Sequence, residues 1–293
     1  MKFKDYNYIR PDYEKYKDEF SKLVEEFKSV ETFEECDEKF TEIKKMRNTV
    51  ATMYCVAYVR HTIDTNDEFY NEESKYWDEN SPLYEELDNK YFKVLVNSKF
   101  RKQLEDKYSE QLFKIIDLKL KGFSPEIIEE TKLENKLVSE YTKLIASAKI
   151  TFQGKEVNLS ELEKYKESTD REIRKAAYLA YSKFFADNEE KFDSIYDNLV
   201  KVRDKMAKKL GYKNYVELGY IKRIRTDFNA EMVDIFRKQV KEYIVPIVSK
   251  LIEKQRERLN LEALEYYDEP IEFMSGNALP FLVSKSINSF LII

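Results

Sequence analysis

Residues 32–57, TFEECDEKFTEIKKMRNTVATMYCVA, decide the fold. Phe33, Cys36, Phe40, Ile43, Met46, Val50, Tyr54 and Ala57 recur at steps of three and four, which lines one face of a helix and cannot line one face of a strand. Thr32-Phe33-Glu34-Glu35 opens the stripe as a capping box, in which the Thr32 hydroxyl and the Glu35 carboxylate satisfy the first free backbone N–H groups. The stripe runs for about seven turns at 3.6 residues each. On its N-terminal side, Tyr13, Tyr16, Phe20, Leu23, Val24 and Phe27 form a second helical stripe between Pro11 and Ser29, with Pro11 suited to the first turn. Two such faces joined by a short link should pack as an antiparallel pair. Thr65-Asn66-Asp67-Glu68 repeats the capping pattern, and Ser81-Pro82 and Ser124-Pro125 read as N-cap and N1-proline starts. Helix follows helix through the first half.

The period changes over Lys149 to Leu159, where Ile150, Phe152, Val157 and Leu159 alternate with polar residues around Gln153-Gly154-Lys155-Glu156. This segment predicts a single small hairpin. Ser160-Glu161-Leu162-Glu163 and Thr169-Asp170-Arg171-Glu172 then read as capping boxes, and Lys208-Lys209-Leu210-Gly211 as a helix end with cations in its last turn. From Asn229 a long helix carries Val233, Phe236, Val240, Ile244, Ile247 and Leu251. Pro246 lies inside it, and since it cannot donate to the Glu242 carbonyl a bend is predicted. The fold class is therefore all-α, a multi-helix bundle with one β-hairpin at about 149–159. Three regions are expected: a helical lobe over 1–148, the hairpin with further helices over 149–274, and an apolar tail over 275–293. The tail has no acidic residue and one base, Lys285, although the chain as a whole is 37% charged.

Composition removes several function classes. The chain has 293 residues, 42% of them hydrophobic, which is enough for a substantial core. Its five glycines are too scattered for a phosphate-cradling loop. With 51 basic against 56 acidic residues it lacks the positive field of a nucleic-acid binder, so no nucleic-acid partner is expected. A single histidine, His61, excludes the zinc motif H-E-x-x-H from these residues. Cys36 and Cys55 form no C-x-x-C pair and read as reduced thiols. Residues 1–10 are too polar for a signal peptide, and no apolar run reaches membrane-spanning length, so a cytoplasmic protein without a membrane partner is expected.

His61, Asp64 and Asp67 could be assembled into a metal or acid-base site. The turn and N-cap chemistry of Asp64, Thr65 and Asn66 gives the better, structural reading. Lys222-Arg223-Ile224-Arg225-Thr226-Asp227 is the densest basic cluster and could clamp a carboxylate, although basic residues at a helix end commonly serve the dipole and solubility. The 22 Tyr and 19 Phe read first as core; tyrosines lining a cleft would also suit peptide recognition.

Five segments resemble the oligoendopeptidase F branch of the thimet-oligopeptidase-like zinc metallopeptidases. They are MYCVAYVRHTIDTNDEFY (53–70), FSPEIIEETKLENKLVSEYTKLIASAKITF (123–152), STDREIRKAAYLAYSKFF (168–185), LGYKNYVELGYIKRIRTDFN (210–229) and YYDEPIEF (266–273). The resemblance covers most of residues 1 to about 274. It implies the N-terminal part of a two-lobed helical peptidase whose helices form one wall of a channel for short peptides. In such proteins zinc is held by an H-E-x-x-H helix and a later Glu, and the motif Glu is the general base on metal-bound water. No position here matches those residues, so no catalytic and no metal residue is assigned, substrate-binding residues stay unknown, and no zinc is expected to bind this chain. The expectation is a truncated member of the family, inactive alone, with short peptides as partners. Self-association is expected through helices after Asn188 whose apolar stripes are left bare. The alternative is a helical peptide-binding or scaffold protein without catalysis.

Overall fold

The stripe of residues 33–57 lies on one helix, α2 (Phe33–Ile63), which follows α1 (Tyr13–Ser29) in a computed structural model that describes residues Lys2–Asn277. The tail expected over 275–293 falls, from residue 278 onward, outside the described residues. Thr32 caps α2 as predicted: its Oγ1 accepts from the Glu35 N–H at 3.3 Å, and Glu35 Oε2 accepts from the Thr32 N–H at 3.2 Å. The pair is antiparallel. Lys39, early in α2, meets Glu26, late in α1, at 2.9 Å, while Tyr13 and Tyr16 at the start of α1 pack beside Val50 and Met53.

These helices are joined by α3 (Glu68–Val96), α4 (Arg101–Tyr108) and α5 (Glu110–Gly122). Phe20, Phe27, Ile43, Tyr91, Leu95, Leu104 and Phe113 are at most 1% exposed and form one continuous cluster. Each such side chain contributes about 1.5–3 kcal/mol through burial. A 3₁₀ turn with Pro125 in its first turn, capped by Ser124 as predicted, leads into α6 (Ile128–Ala146).

Ser81-Pro82 does not start a helix. Pro82 lies inside α3, and the helix passes through it because Asn135 of α6 donates its Nδ2–H to the Asp78 carbonyl at 3.1 Å. That carbonyl, four residues back, is the one a proline cannot serve. Three caps also sit elsewhere than predicted. Asp67, not Thr65, caps α3, accepting from the Tyr70 N–H at 3.0 Å. Asp170, not Thr169, caps α8 (Arg171–Asp187). Asn158, with Glu161, makes the capping box of α7 (Leu159–Lys166), so Leu159 is buried in a helical first turn instead of ending a strand.

The hairpin is β1 (Ile150–Phe152) paired antiparallel with β2 (Lys155–Val157). Gln153 and Gly154 have φ of 50° and 75°, the conformation a two-residue hairpin turn requires. Phe152 and Val157 pack with Leu162 and Ala177. Nearby, the fully buried Asp268 carboxylate takes Arg171 at 2.7 Å, Arg174 at 2.9 Å and the Glu265 N–H at 3.1 Å.

Beyond α9 (Glu189–Lys209), Gly211 takes φ of 83° and Tyr212 N–H reaches back to the Ala207 carbonyl at 2.9 Å, a glycine C-cap as predicted. Next come α10 (Tyr215–Lys222), α11 (Ala230–Gln239) and α12 (Val245–Arg258). The irregularity expected at Pro246 is a π-helical turn over Val240–Ile244, in which Val245 N–H donates to the Val240 carbonyl.

Packing divides the chain into two units, one made of Met1–Leu144 with Lys191–Val233, the other of Ile145–Glu190 with the described residues from Asp234 onward. The helices after Asn188 do not share one fate. Val202, Met206, Ala207 and Leu218 of α9 and α10 are buried in the first unit, whereas Phe236, Tyr243, Ile247 and Leu251 are each at least half exposed. No helix among the described residues is long and apolar enough to cross a membrane.

Candidate functional site

His61 stands one turn beyond Ala57 on the stripe of α2 and is 3% exposed. Its sequence neighbours do not join it in a site. Asp64 ends α2 and accepts the Asn66 N–H at 2.9 Å, and Asp67 caps α3. The structural reading of that trio holds for the two aspartates. Neither His61 Nε2 nor the nearby Asn71 Oδ1 has a well-formed hydrogen bond. Burial first, and Lys143 second, push the imidazole pKa down, against a smaller opposite effect of Asn71. The ring is therefore neutral at pH 7.

Within the first unit His61 lines a cavity of about 160 Å³ together with Tyr54 and Tyr58 of α2, Trp77 and Asp78 of α3, and Ser139 of α6. The rings form an aromatic wall, Tyr54 lying edge-on to Trp77 at 5.4 Å and stacked on Tyr58 at 6.2 Å. Burial raises the pKa of the Asp78 carboxyl, and hydrogen bonding from Ser139 and the charge of Lys143 oppose this. Among the described residues Asp78 makes no ion pair.

Trp77 is held from behind. Its Nε1–H donates to the Tyr8 hydroxyl at 3.1 Å, that hydroxyl donates to Glu73, and Arg10 Nε–H donates to the same carboxylate at 3.0 Å. Glu73 is 3% exposed. Burial, then the Glu73 carboxylate, push the Tyr8 phenol pKa well up, so it remains a donor.

The basic cluster does not converge into a clamp. Lys222 Nζ donates to Glu134 at 2.8 Å, where Arg203 Nε–H also donates at 2.7 Å. Arg225 lies over the Tyr220 ring at 4.3 Å and Arg223 is exposed. Ile224 has φ of 54°, an unfavourable conformation for a β-branched residue at the end of α10. Glu130, four residues before Glu134 on α6, takes Lys205 at 2.8 Å and Lys209 at 2.7 Å. Burial opposes ionisation of both carboxyls, but the paired cations outweigh it and hold both pKa values below the usual range.

Cys36 is buried and Cys55 exposed, both as free thiols. Among the described residues no three His, Cys, Asp or Glu side chains are grouped so as to hold a metal ion. With one imidazole in the chain, these residues do not fit the zinc site that the resemblance implies. Sequence reading found His61 but missed Asp78, Trp77 and Ser139, which reach it from two other helices, α3 and α6.

The peptidase M3 N-terminal domain matches residues 3–123, and peptidase family M3 matches residues 164–273. The chain belongs to peptidase family M3. Among solved M3-like structures it is similar to a PZ peptidase A with an inhibitor, at 52% identity and a TM-score of 0.92, covering 96% of this chain and 50% of that one. It is similar also to an oligoendopeptidase F from Bacillus anthracis str. Ames, at 48% identity and a TM-score of 0.92, covering 96% and 52%. A further oligoendopeptidase F structure matches at 45% identity and a TM-score of 0.93, covering 96% and 50%. This M3 chain thus spans about half the length of the structures it matches. No curated protein matches it.

Proposed function

We propose that this chain is the N-terminal portion of a zinc-dependent oligoendopeptidase, contributing helices that receive short peptides and not the groups that cleave them. One observation carries the reading: 96% of the chain aligns with half of an oligoendopeptidase F, while its one imidazole cannot supply a two-histidine zinc helix. The chain alone is then catalytically inert and binds no catalytic zinc, and the reaction belongs to the other half of the family. The cytoplasm suits a protein with two free thiols. The bare faces of α11 and α12 favour self-association of the isolated chain.

The test is a peptidase assay on internally quenched peptides of five to fifteen residues with added zinc. No turnover is expected. Chelator-sensitive cleavage by the purified chain would overturn the reading.

A further inference from the structure

We propose that the cavity between α2, α3 and α6 is a receptor for one cationic group, the ammonium or guanidinium of a basic side chain. Four features of one small space converge on that chemistry. Asp78 supplies a carboxylate with no ion-pair partner among the described residues. His61 supplies a buried imidazole that carries no charge to repel a cation, its Nε2 facing the Asn71 side-chain oxygen without a well-formed hydrogen bond. Tyr54, Tyr58 and Trp77 line the space with three aromatic rings, a side-chain type whose π systems attract cations. The volume, about 160 Å³, admits the tip of a lysine or arginine side chain but not a folded segment.

An anion fits badly, since it would meet Asp78 and also Glu134, which reaches the same cavity with its own charge already matched by Arg203 and Lys222. An aliphatic group fits badly too, because it would bury the Asp78 carboxylate further with only the Ser139 hydrogen bond and no opposite charge to pair with. Lys143 is the resident competitor: its charge is felt by both His61 and Asp78, though it pairs with neither. A guest cation must displace that influence, so removing it should help the guest. That the guest comes from a peptide rests on the peptidase reading; that the cavity takes a cation does not.

Trp77 is the one tryptophan of the chain, so its fluorescence reports on the cavity directly. The full chain is titrated with N-acetyl-lysine amide, N-acetyl-arginine amide, N-acetyl-norleucine amide and glycinamide, followed by fluorescence and calorimetry. The two basic amides are expected to saturate and to bind at least tenfold more tightly than the norleucine amide and glycinamide. Asp78→Asn should weaken the basic amides at least tenfold, and Lys143→Met should tighten them severalfold. Equal binding of the norleucine amide, preference for glycinamide, or no saturable signal from any basic amide would overturn the proposal. Should Asp78→Asn fail to fold, Lys143→Met decides, and unchanged or weaker binding by that variant overturns it as well. Catalysis is not measured, so peptide cleavage by the chain would sink the proposed function and leave this cavity untouched.

Discussion

The Asn135 side-chain amide donates to the Asp78 carbonyl at 3.1 Å, replacing the backbone donor that Pro82 lacks. The same amide lies 3.2 Å from Ser81 Oγ. A side chain of α6 therefore completes the backbone of α3 at the edge of the cavity. Asn135→Ala is expected to cost about 0.5–1.5 kcal/mol, the net worth of a part-buried hydrogen bond. In a Pro82→Ala background the restored backbone N–H should cut that cost by more than half. A double-mutant cycle on urea unfolding measures the coupling, and additive costs would show that the Asn135 bond does not serve the carbonyl.

Asp268 anchors the second unit by taking both Arg171 and Arg174. Burial opposes its ionisation, but the two guanidinium groups outweigh this and hold its carboxyl below the usual range. A depressed folded pKa gives stability that is fully present above the unfolded value, about 3.9, and is lost as pH falls through the folded value. Asp268→Asn should cost about 3–5 kcal/mol at pH 7, because two guanidinium groups lose their carboxylate. The gap between wild type and variant should narrow below about pH 4. Thermal melts at pH 7, 4 and 3 check both size and trend.

Glu134 joins α6 to α9 and α10 through Arg203 and Lys222. Its cations are partly exposed, so Glu134→Gln is expected to cost about 1–3 kcal/mol, less than the loss at Asp268. Lys222→Met should cost less still, since Arg203 remains. Chemical unfolding of the three proteins ranks them, and a Lys222→Met loss as large as that of Glu134→Gln would contradict the shared-carboxylate account.

The π turn before Pro246 accommodates a residue that cannot donate. Pro246→Ala should let the helix continue in α geometry and gain up to about 3 kcal/mol of helix stability. Higher far-UV helicity and slower amide exchange over residues 240–246 are the expected signs.

Much of this architecture was legible because helical periodicity is a local property. The stripes of α1 and α2, the Thr32 capping box, the Gly211 stop and the Gln153-Gly154 turn all express chemistry within a few residues of themselves. Pro82 was misread for the same reason: its tolerance depends on Asn135, which lies 53 positions later and is invisible to a local rule. The cavity was illegible likewise. His61 drew attention because it is the one imidazole, yet its companions Trp77, Asp78 and Ser139 come from other helices, and the aspartates beside it in sequence serve helix ends. Nothing in the sequence around Glu130 and Glu134 sets them apart among 56 acids, since only packing against α9 and α10 reveals their matched cations.

The first unit is assembled from two separated stretches, and this orders its birth in time. A nascent chain that has emerged only as far as residue 144 carries Glu130 and Glu134 without Lys205, Lys209, Arg203 and Lys222. Until residues 191–222 have been synthesised those carboxylates have no cations to bury against, so the docking of α6 is expected to be completed only after early translation. Maturation of this unit is expected to wait on the ribosome, with the hairpin region threading out in between.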